Sequence, residues 1–187
     1  MRWRCSAAAT AVLLVAGCTD QDVGVPQPPP TTANPDSVTG TDPKALQRPQ
    51  NLRRALARLE KERQSMEGRY SNFRLAPGRI DAQIMGPERM MNIQIRPDMS
   101  IPFVNTTSMS STPSRDGLVG RDIDVRVPQR LLARIDRRRS SDAARDLDYL
   151  VVSKSTIDGN ITWSAFMDTG PRPRSFLLED GNLRPIG

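Results

Sequence analysis

A helical pattern followed by strand-like segments occurs twice in this sequence, and the two copies match without gaps at one constant offset. The first copy begins at Pro49 and carries the i, i+3, i+4, i+7 apolar stripe of an amphipathic helix, formed by Leu52, Ala55, Leu56 and Leu59. The matched positions are Pro49-Gln50 with Pro128-Gln129, Leu52 with Leu131, Leu56 with Ile135, Arg58 with Arg137, and Tyr70 with Tyr149. Helix–strand patterns can resemble each other by chance, but the absence of gaps favours a structural repeat.

Beyond the matched tyrosines, both halves continue as short alternating segments typical of strands. They cover residues 73–75, 79–85, 91–95 and 100–104 in the first half, and 149–153, 161–166, 175–178 and 183–186 in the second. Turn residues such as Pro77-Gly78 and Asp158-Gly159-Asn160 separate them. Short connections of this kind predict antiparallel sheet. We therefore expect an α+β fold of two similar α-β-β-β(-β) halves, with both helices on one face of the sheet and the other face open to solvent.

The composition predicts where the folded body begins and where its halves meet. Six prolines and few apolar residues between positions 26 and 43 indicate that residues 18–47 form a disordered tether. The body then covers 48–187, with halves at 48–104 and 121–187. The segment between them, 105–120, is rich in Ser and Thr, so it is either a flexible linker or a binding edge, and the linker is favoured.

The first residues read as an export signal. Arg2 and Arg4 precede an apolar stretch from Ala7 to Ala16, the order of charge and hydrophobicity found in secretory signals. This stretch is too short to cross a bilayer, since spanning one takes roughly 20 apolar residues.

The end of this signal, Leu14-Val15-Ala16-Gly17-Cys18, resembles the lipobox of bacterial lipoproteins. The resemblance implies cleavage between Gly17 and Cys18, loss of residues 1–17, and a lipid thioether on Cys18. It also implies a protein held by its lipid on the extracytoplasmic side of a bacterial cell membrane. The alternative is an ordinary secretory signal that happens to end near a cysteine.

The order and size of the elements in the body resemble those of the tandem helix-plus-sheet modules of the beta-lactamase-inhibitor-protein and PepSY type. This resemblance covers the two halves and involves no signature motif. It implies the same α+β class as the hydrophobic pattern.

The residue types exclude much chemistry. The chain has no His and two Cys, Cys5 and Cys18, both in the signal region. His-based triads, His-ligated or Cys-clustered metals and a disulfide framework are therefore excluded, and no glycine-rich phosphate loop occurs. We expect no cofactor, no metal and no catalytic residue in this chain.

Two enzymatic alternatives remain open at this point. Asp81 with Asp168 or Glu179 would supply the paired carboxylates of an envelope-directed hydrolase. Ser153-Lys154-Ser155 places a nucleophile beside a lysine, but neighbours on a strand point to opposite faces, so an exposed strand end is the simpler interpretation.

The net charge gives the remaining lead. Lys and Arg number 27 against 21 Asp and Glu, a net charge of +6, and only three of the cations are lysines. Four arginines on the second helix form a candidate anion site: Arg130, Arg134, Arg137 and Arg138. A solvated helix face, rich in Arg because of a GC-rich genome, is the favoured interpretation of the same residues. We expect a non-catalytic binding domain whose partner is an envelope protein or an anionic cell-wall component, and no nucleic acid, because the chain is exported. A purely structural surface protein is the third hypothesis.

Overall fold

One antiparallel sheet of eight strands and two helices make up the body of the protein. The structure is a computed structural model that describes residues 38–109, 117–139, 142–168, 174–179 and 182–186. The helices are α1 (Pro49–Ser65) and α2 (Val127–Arg139), and a short 3-10 helix covers Gly120–Asp122. The strands are β1 (Arg69–Ala76), β2 (Arg79–Met85), β3 (Arg89–Ile95), β4 (Phe103–Ser108), β5 (Leu147–Lys154), β6 (Ile161–Met167), β7 (Arg174–Glu179) and β8 (Asn182–Ile186). The expected α+β class is confirmed.

The sheet has an internal two-fold arrangement. Its strand order is β4-β3-β2-β1-β5-β6-β7-β8, so the first strands of the two halves pair at the centre. Phe73 lies opposite Val152 and Leu75 opposite Leu150, with the Arg74–Val151 pair between them. A rotation of 180° about that central pair therefore exchanges one half of the sheet with the other.

All the tightly buried strand residues lie on one face of the sheet. In β1, Phe73 and Leu75 are fully buried, whereas Arg74 between them is only half-buried. Alternate residues of a strand point to opposite faces, and the buried ones form a single core with the apolar residues of α1 and α2. Both helices therefore cover the same face, and residues of the other face, such as Arg74, Asp81 and Ser164, are half-buried and not covered by a helix among the described residues.

The two halves are similar, but the constant offset expected from the sequence is wrong for the helices. The buried residues of α1 start at Leu52 and end at Leu59, and those of α2 start at Pro128 and end at Ile135. The counterpart of Leu52 is thus Pro128, not Leu131. The error is three residues because a stripe with apolar positions at i, i+3, i+4 and i+7 still overlaps itself after a shift of three.

The offset is also wrong for the central strands. Tyr70 and Leu147 both precede an irregularity in the pairing with the next strand, and both are buried. The counterpart of Tyr70 is therefore Leu147, not Tyr149. Loops of different length then change the offset again, so that the buried Ala82 of β2 corresponds to the buried Ala165 of β6.

The body begins earlier than the predicted boundary at residue 48. Residues 38–47, which the composition places in the tether, belong to the fold, and Ala45 and Leu46 are fully buried. The amide of Leu46 donates to the carbonyl of Pro77 at 2.8 Å, and the side chain of Asn51 donates to the carbonyl of Ala45 at 3.0 Å. Two apolar residues in a polar stretch do not change its average composition, but these contacts place them in the core.

The joining segment 105–120 is shorter than predicted. Strand β4 continues to Ser108, and Leu118 is buried and pairs with Tyr70 through two backbone hydrogen bonds of 2.9 Å. Asn and Thr, which the sequence assigns to a loop, continue the strand because their backbone pairs with β3.

The signal, the cleavage position at Gly17 and Cys18, and the tether up to residue 37 lie outside the described residues. Within the residues that the structure describes, no helix has the length and hydrophobicity needed to cross a membrane.

Candidate binding surface on the open sheet face

An arginine that stacks on the first of two stacked aromatic rings occupies the centre of the open face. The guanidinium carbon of Arg74 lies 3.7 Å from the centre of the Tyr149 ring, and that ring stacks on Phe166 at a centroid distance of 4.5 Å. Arg74 is on β1, Tyr149 on β5 and Phe166 on β6, so three adjacent strands build the stack. A cation on an aromatic face in this geometry is attracted by the ring quadrupole.

The guanidinium of Arg74 has no protein hydrogen-bond acceptor among the described residues. Its Nε is buried and has no hydrogen-bond partner, whereas neither of its two terminal nitrogens is both buried and unpaired. Because they also lack a protein acceptor, the terminal nitrogens are accessible to solvent, while the stack on Tyr149 holds the guanidinium group in place. An arginine held in this way presents its terminal N–H groups in the planar fork that a carboxylate accepts.

Polar side chains bonded to one another flank this arginine. Its neighbour on β2 is Asp81, which accepts hydrogen bonds from Arg79 Nε at 3.0 Å and from Gln94 Nε2 at 2.8 Å. Asp81 bonds to Arg79 and Gln94 and forms no ion pair with Arg74 among the described residues. One row further along the strands, Gln83 accepts from Ser71 at 2.7 Å and donates to Asn92 at 3.0 Å.

A half-buried carboxylate on the helix-covered side of the sheet holds β1 in place. Glu60 Oε1, on α1, accepts hydrogen bonds from the hydroxyl of Tyr70 at 2.8 Å and from the amide of Gly120 at 3.0 Å. Arg63 Nε donates to both carboxylate oxygens, at 3.0 and 2.9 Å. Burial, together with the hydrogen bond to Glu60, raises the pKa of the Tyr70 hydroxyl. Glu60 thus connects α1, β1 and the segment that leads into the second half.

The four arginines predicted to bind an anion have two kinds of environment on α2. Arg130 and Arg134 line a cleft beside α2, while Arg137 and Arg138 are exposed on the helix surface. Arg130 is neutralised by Asp124, with a distance of 2.6 Å between Nη2 and Oδ2. Their spacing of i, i+4, i+7 and i+8 places all four on one side of α2, and the binding of an anion there stays a prediction.

The cleft occupies about 340 Å³ between α2 and strands β6 and β7. Its floor is apolar, formed by Ile161, Trp163 and Leu178, and its rim carries Asp122 and Asp124 besides the two arginines. Lys154 Nζ lies 3.4 Å from Asp122 Oδ2, so this acidic residue also has a basic partner.

The first half has no open counterpart of this cleft among its described residues. Ile80 and Ile95 correspond to Trp163 and Leu178 in the pairing of strands, and both are fully buried. The connection from β3 to β4 covers residues 96–102 and packs Met99 and Ile101 against the core. Only two residues connect β7 to β8, so this connection is too short to close the second half in the same way.

The carboxylates considered for hydrolysis are far apart. Asp81 is on β2 and Asp168 follows β6, a separation of three strands or about 14 Å across the sheet. Glu179 is on β7, one strand further away. A glycosidase pair needs about 5 to 10 Å between its carboxyl groups, so the structure does not unite Asp81 with either residue.

The lysine considered as a base also has a different position from its serine neighbours. Lys154 shares the helix-covered side with the buried Val152 and pairs with Asp122, whereas Ser153 points to the other face. The hydroxyl of Ser155 accepts from the amides of Ile157 and Asp158 in the following turn. The expectation that these neighbours diverge is confirmed.

Metal ligands are not grouped in the part of the chain that the structure describes: no three His, Cys, Asp or Glu side chains there are placed to hold an ion.

Arg74, Tyr149 and Phe166 were not identifiable as a group from the sequence. Arg74 and Tyr149 belong to different halves of the chain, and only the β1–β5 pairing brings them together. The sequence signal available in hindsight is a charged residue between two apolar residues, Phe73 and Leu75, in a central strand.

Comparisons with known proteins add one structural similarity. No protein-family model matches the sequence, and no curated protein matches it. Among solved structures, the chain is similar to the crystal structure of a proposed lipoprotein from Clostridium difficile 630. The two are 9% identical, with a TM-score of 0.48 over 67% of this chain and 85% of that chain. The similarity is therefore one of structure at low sequence identity.

Proposed function

We propose that this chain is a lipoprotein anchored through Cys18 to the extracytoplasmic side of a bacterial cell membrane, and that its body is a non-catalytic binding domain. The support for the anchor is the motif Leu14-Val15-Ala16-Gly17-Cys18 behind a basic and apolar signal. The support for binding is the open sheet face. Its occupant in this proposal is a protein partner that presents a carboxylate to Arg74.

The observation that carries the binding proposal is the unpaired guanidinium of Arg74. The covered Nε of Arg74 has lost its solvation without gaining an acceptor, and the side chain gains the stack on Tyr149, so the donor serves folding poorly. The same group gains a charge-assisted, bidentate hydrogen bond when a carboxylate docks on the face. The flat surface around it suits a protein better than a small molecule, which prefers a concave site.

Anchoring is tested by replacing Cys18 with alanine. We expect the variant to leave the membrane fraction and the wild type to remain there, since acyl chains supply about 0.8 kcal/mol per buried methylene. Equal membrane partition of both proteins would refute the anchor without affecting the binding proposal.

Binding is tested by a photoreactive amino acid placed at Ser164, which lies on the open face in the same row as Arg74. The matched control carries it at Arg138, which is exposed on α2. In intact envelopes we expect a discrete adduct from position 164 and none from position 138. Arg74→Gln should lower the yield about tenfold, as expected for a lost charged hydrogen bond. Equal adducts from both positions, or no effect of the Arg74 change, would contradict the proposal.

A further inference from the structure

The first edge of the sheet, β4, is uncovered along its whole length. All six residues from Phe103 to Ser108 are exposed, and Phe103 and Val104 each keep 52% of their surface open to solvent. The strand contains no charged residue and no proline. Natural sheets usually protect an edge with lysine, proline, a bulge or a covering loop, because an open edge pairs readily with another strand.

The pairing with β3 determines which backbone groups of β4 point outwards. The amide of Met109 donates to the carbonyl of Glu88 at 2.8 Å, so Met109 is a hydrogen-bonded position of the ladder. Hydrogen-bonded positions alternate along an antiparallel strand. Thr107, Asn105 and Phe103 therefore bond to β3, while the N–H and C=O groups of Val104, Thr106 and Ser108 point away from the sheet.

The opposite edge, β8, is blocked at the equivalent position. Val104 pairs with Ile93 in the first half, and Pro185 pairs with Phe176 in the second half, so Pro185 is the counterpart of Val104. The amide of Asp168 donates to the carbonyl of Asp146, which makes this pair a hydrogen-bonded position between β5 and β6. When the alternation of hydrogen-bonded positions is continued across β6 and β7 to β8, the nitrogen of Pro185 points away from the sheet. Proline has no N–H to donate, so it prevents pairing at this point. One edge of the two-fold arrangement is therefore closed and the other is open.

We propose that β4 is a self-association edge, at which a second copy of this chain adds its own β4 in the antiparallel direction. A two-fold axis at Thr106 places Thr106 opposite itself and Val104 opposite Ser108 of the second copy. All three outward residues of each copy then take part, and up to about six hydrogen bonds form. An axis at Asn105 or Thr107 would leave one of the three unpaired.

The side chains in this register are compatible. The axis joins two Thr106 side chains, a favourable cross-strand pair. On the open face, Phe103 lies opposite Met109 of the second copy, which gives the exposed ring an apolar neighbour and a sulfur contact. Because β4 contains no charged residue, the register opposes no like charges even though the chain is basic. The central β1–β5 pair already shows that two halves of this fold join by the same antiparallel contact.

The register is tested by disulfide trapping. In the full chain with Cys5 and Cys18 replaced by serine, Thr106→Cys introduces the only cysteine. The Cα atoms of residue 106 in the two copies then lie about 5.5 Å apart across the axis, within disulfide range. Ser108→Cys is the matched control on the same edge and face, but its two copies lie about 14 Å apart. On a denaturing gel without reductant, mild oxidation should give a covalent species of twice 20.7 kDa for the Thr106→Cys protein and no covalent dimer for the control.

The pairing itself is tested by proline at the axis. Thr106→Pro removes an outward N–H but no bond to β3, so the variant should keep the wild-type circular dichroism spectrum. Sedimentation equilibrium at concentrations up to the order of 100 µM should show a wild-type dimer, a dissociation constant raised at least about tenfold by Thr106→Pro, and little change with Thr106→Ala.

The proposal would be overturned by a monomer throughout this range, by equal oxidation of the two cysteine variants, or by a folded proline variant that dimerises as tightly as the wild type. In intact envelopes, with Thr106→Cys in a chain that keeps Cys18 for its proposed anchor, an adduct with another protein instead of a second copy would assign the edge to a different partner and would also overturn the proposal.

Discussion

The hydroxyl of Tyr70 donates a 2.8 Å hydrogen bond to Oε1 of Glu60 and so joins the first strand of the sheet to α1. The same oxygen accepts the amide of Gly120, which begins the short helix before α2. A single carboxylate therefore links the start of both halves. The contact is largely shielded from water, since Tyr70 keeps only 1% of its surface exposed.

We expect Tyr70→Phe to change how stability depends on alkaline pH. Burial raises the pKa of Tyr70 in the folded protein above its ordinary value of 10.0. The unfolded chain therefore releases the tyrosine proton at a lower pH than the folded protein does. The contribution of Tyr70 to the free energy of unfolding is complete below pH 10 and is lost as the pH rises through and beyond 10, by up to about 1.4 kcal/mol per pH unit. At pH 8 the variant should lose about 1 kcal/mol through the missing hydrogen bond. Urea unfolding at pH 8 and pH 11 measures both effects.

The control for this prediction is Tyr149→Phe, which removes the other tyrosine and keeps Tyr70. It should retain the alkaline loss of stability, whereas Tyr70→Phe should lack it. Identical slopes in the two variants would show that Tyr70 is not the group responsible.

We expect Arg74→Met to be neutral or to stabilise the folded protein by up to about 1 kcal/mol. The covered Nε of Arg74 has no acceptor, and an apolar side chain of similar length removes this unsatisfied donor while retaining the contact with Tyr149. Chemical unfolding of both proteins gives the difference. A clear loss of stability, above about 2 kcal/mol, would mean that Arg74 serves the fold and would weaken its role in binding.

Residues 38–47 should contribute directly to stability. Leu46 is fully buried, so Leu46→Ala should cost about 2 to 5 kcal/mol through lost contacts and the cavity that remains. Lys44→Ala, two residues earlier and exposed, should change stability by less than about 0.5 kcal/mol. Thermal or urea unfolding measures the stability of the two variants. Equally small effects would show that residues 38–47 do not contribute to the folded body.

The unequal halves predict unequal tolerance to a larger side chain. Leu178 borders the open cleft, so Leu178→Trp should cost less than about 1 kcal/mol. Its counterpart Ile95 is fully buried, and Ile95→Trp should cost about 3 kcal/mol or more through overpacking. Equal costs, measured by urea unfolding, would show that the cleft is closed in solution.

The sequence predicted the elements well and their relationships less well. The stripe formed by Leu52, Ala55, Leu56 and Leu59 is the buried face of α1, because helical periodicity alone determines which side is apolar. The strands and their antiparallel pairing followed from alternation and turn residues. The offset of the repeat did not, since periodic patterns match themselves after small shifts.

The hydrophobic periodicity of the sequence could not predict the candidate site. The sequence indicated an open face, but the contact between Arg74 and Tyr149 depends on the register of two strands from different halves. Register is set by packing over the whole sheet and not by local pattern. The arginines of α2 were attractive in the sequence because they are close together in the chain, yet Asp124, which neutralises Arg130, precedes the helix.

The nitrogen of Pro185 at the far edge has a consequence for how large an assembly can grow. A sheet with two receptive edges can add copies without end and form a fibre, whereas a sheet with one receptive edge stops when that edge is used. Pairing through β4 leaves β8 as the outer strand on both sides. Assembly through this sheet therefore ends at two copies, and Pro185→Val would turn a closed pair into a chain that can lengthen.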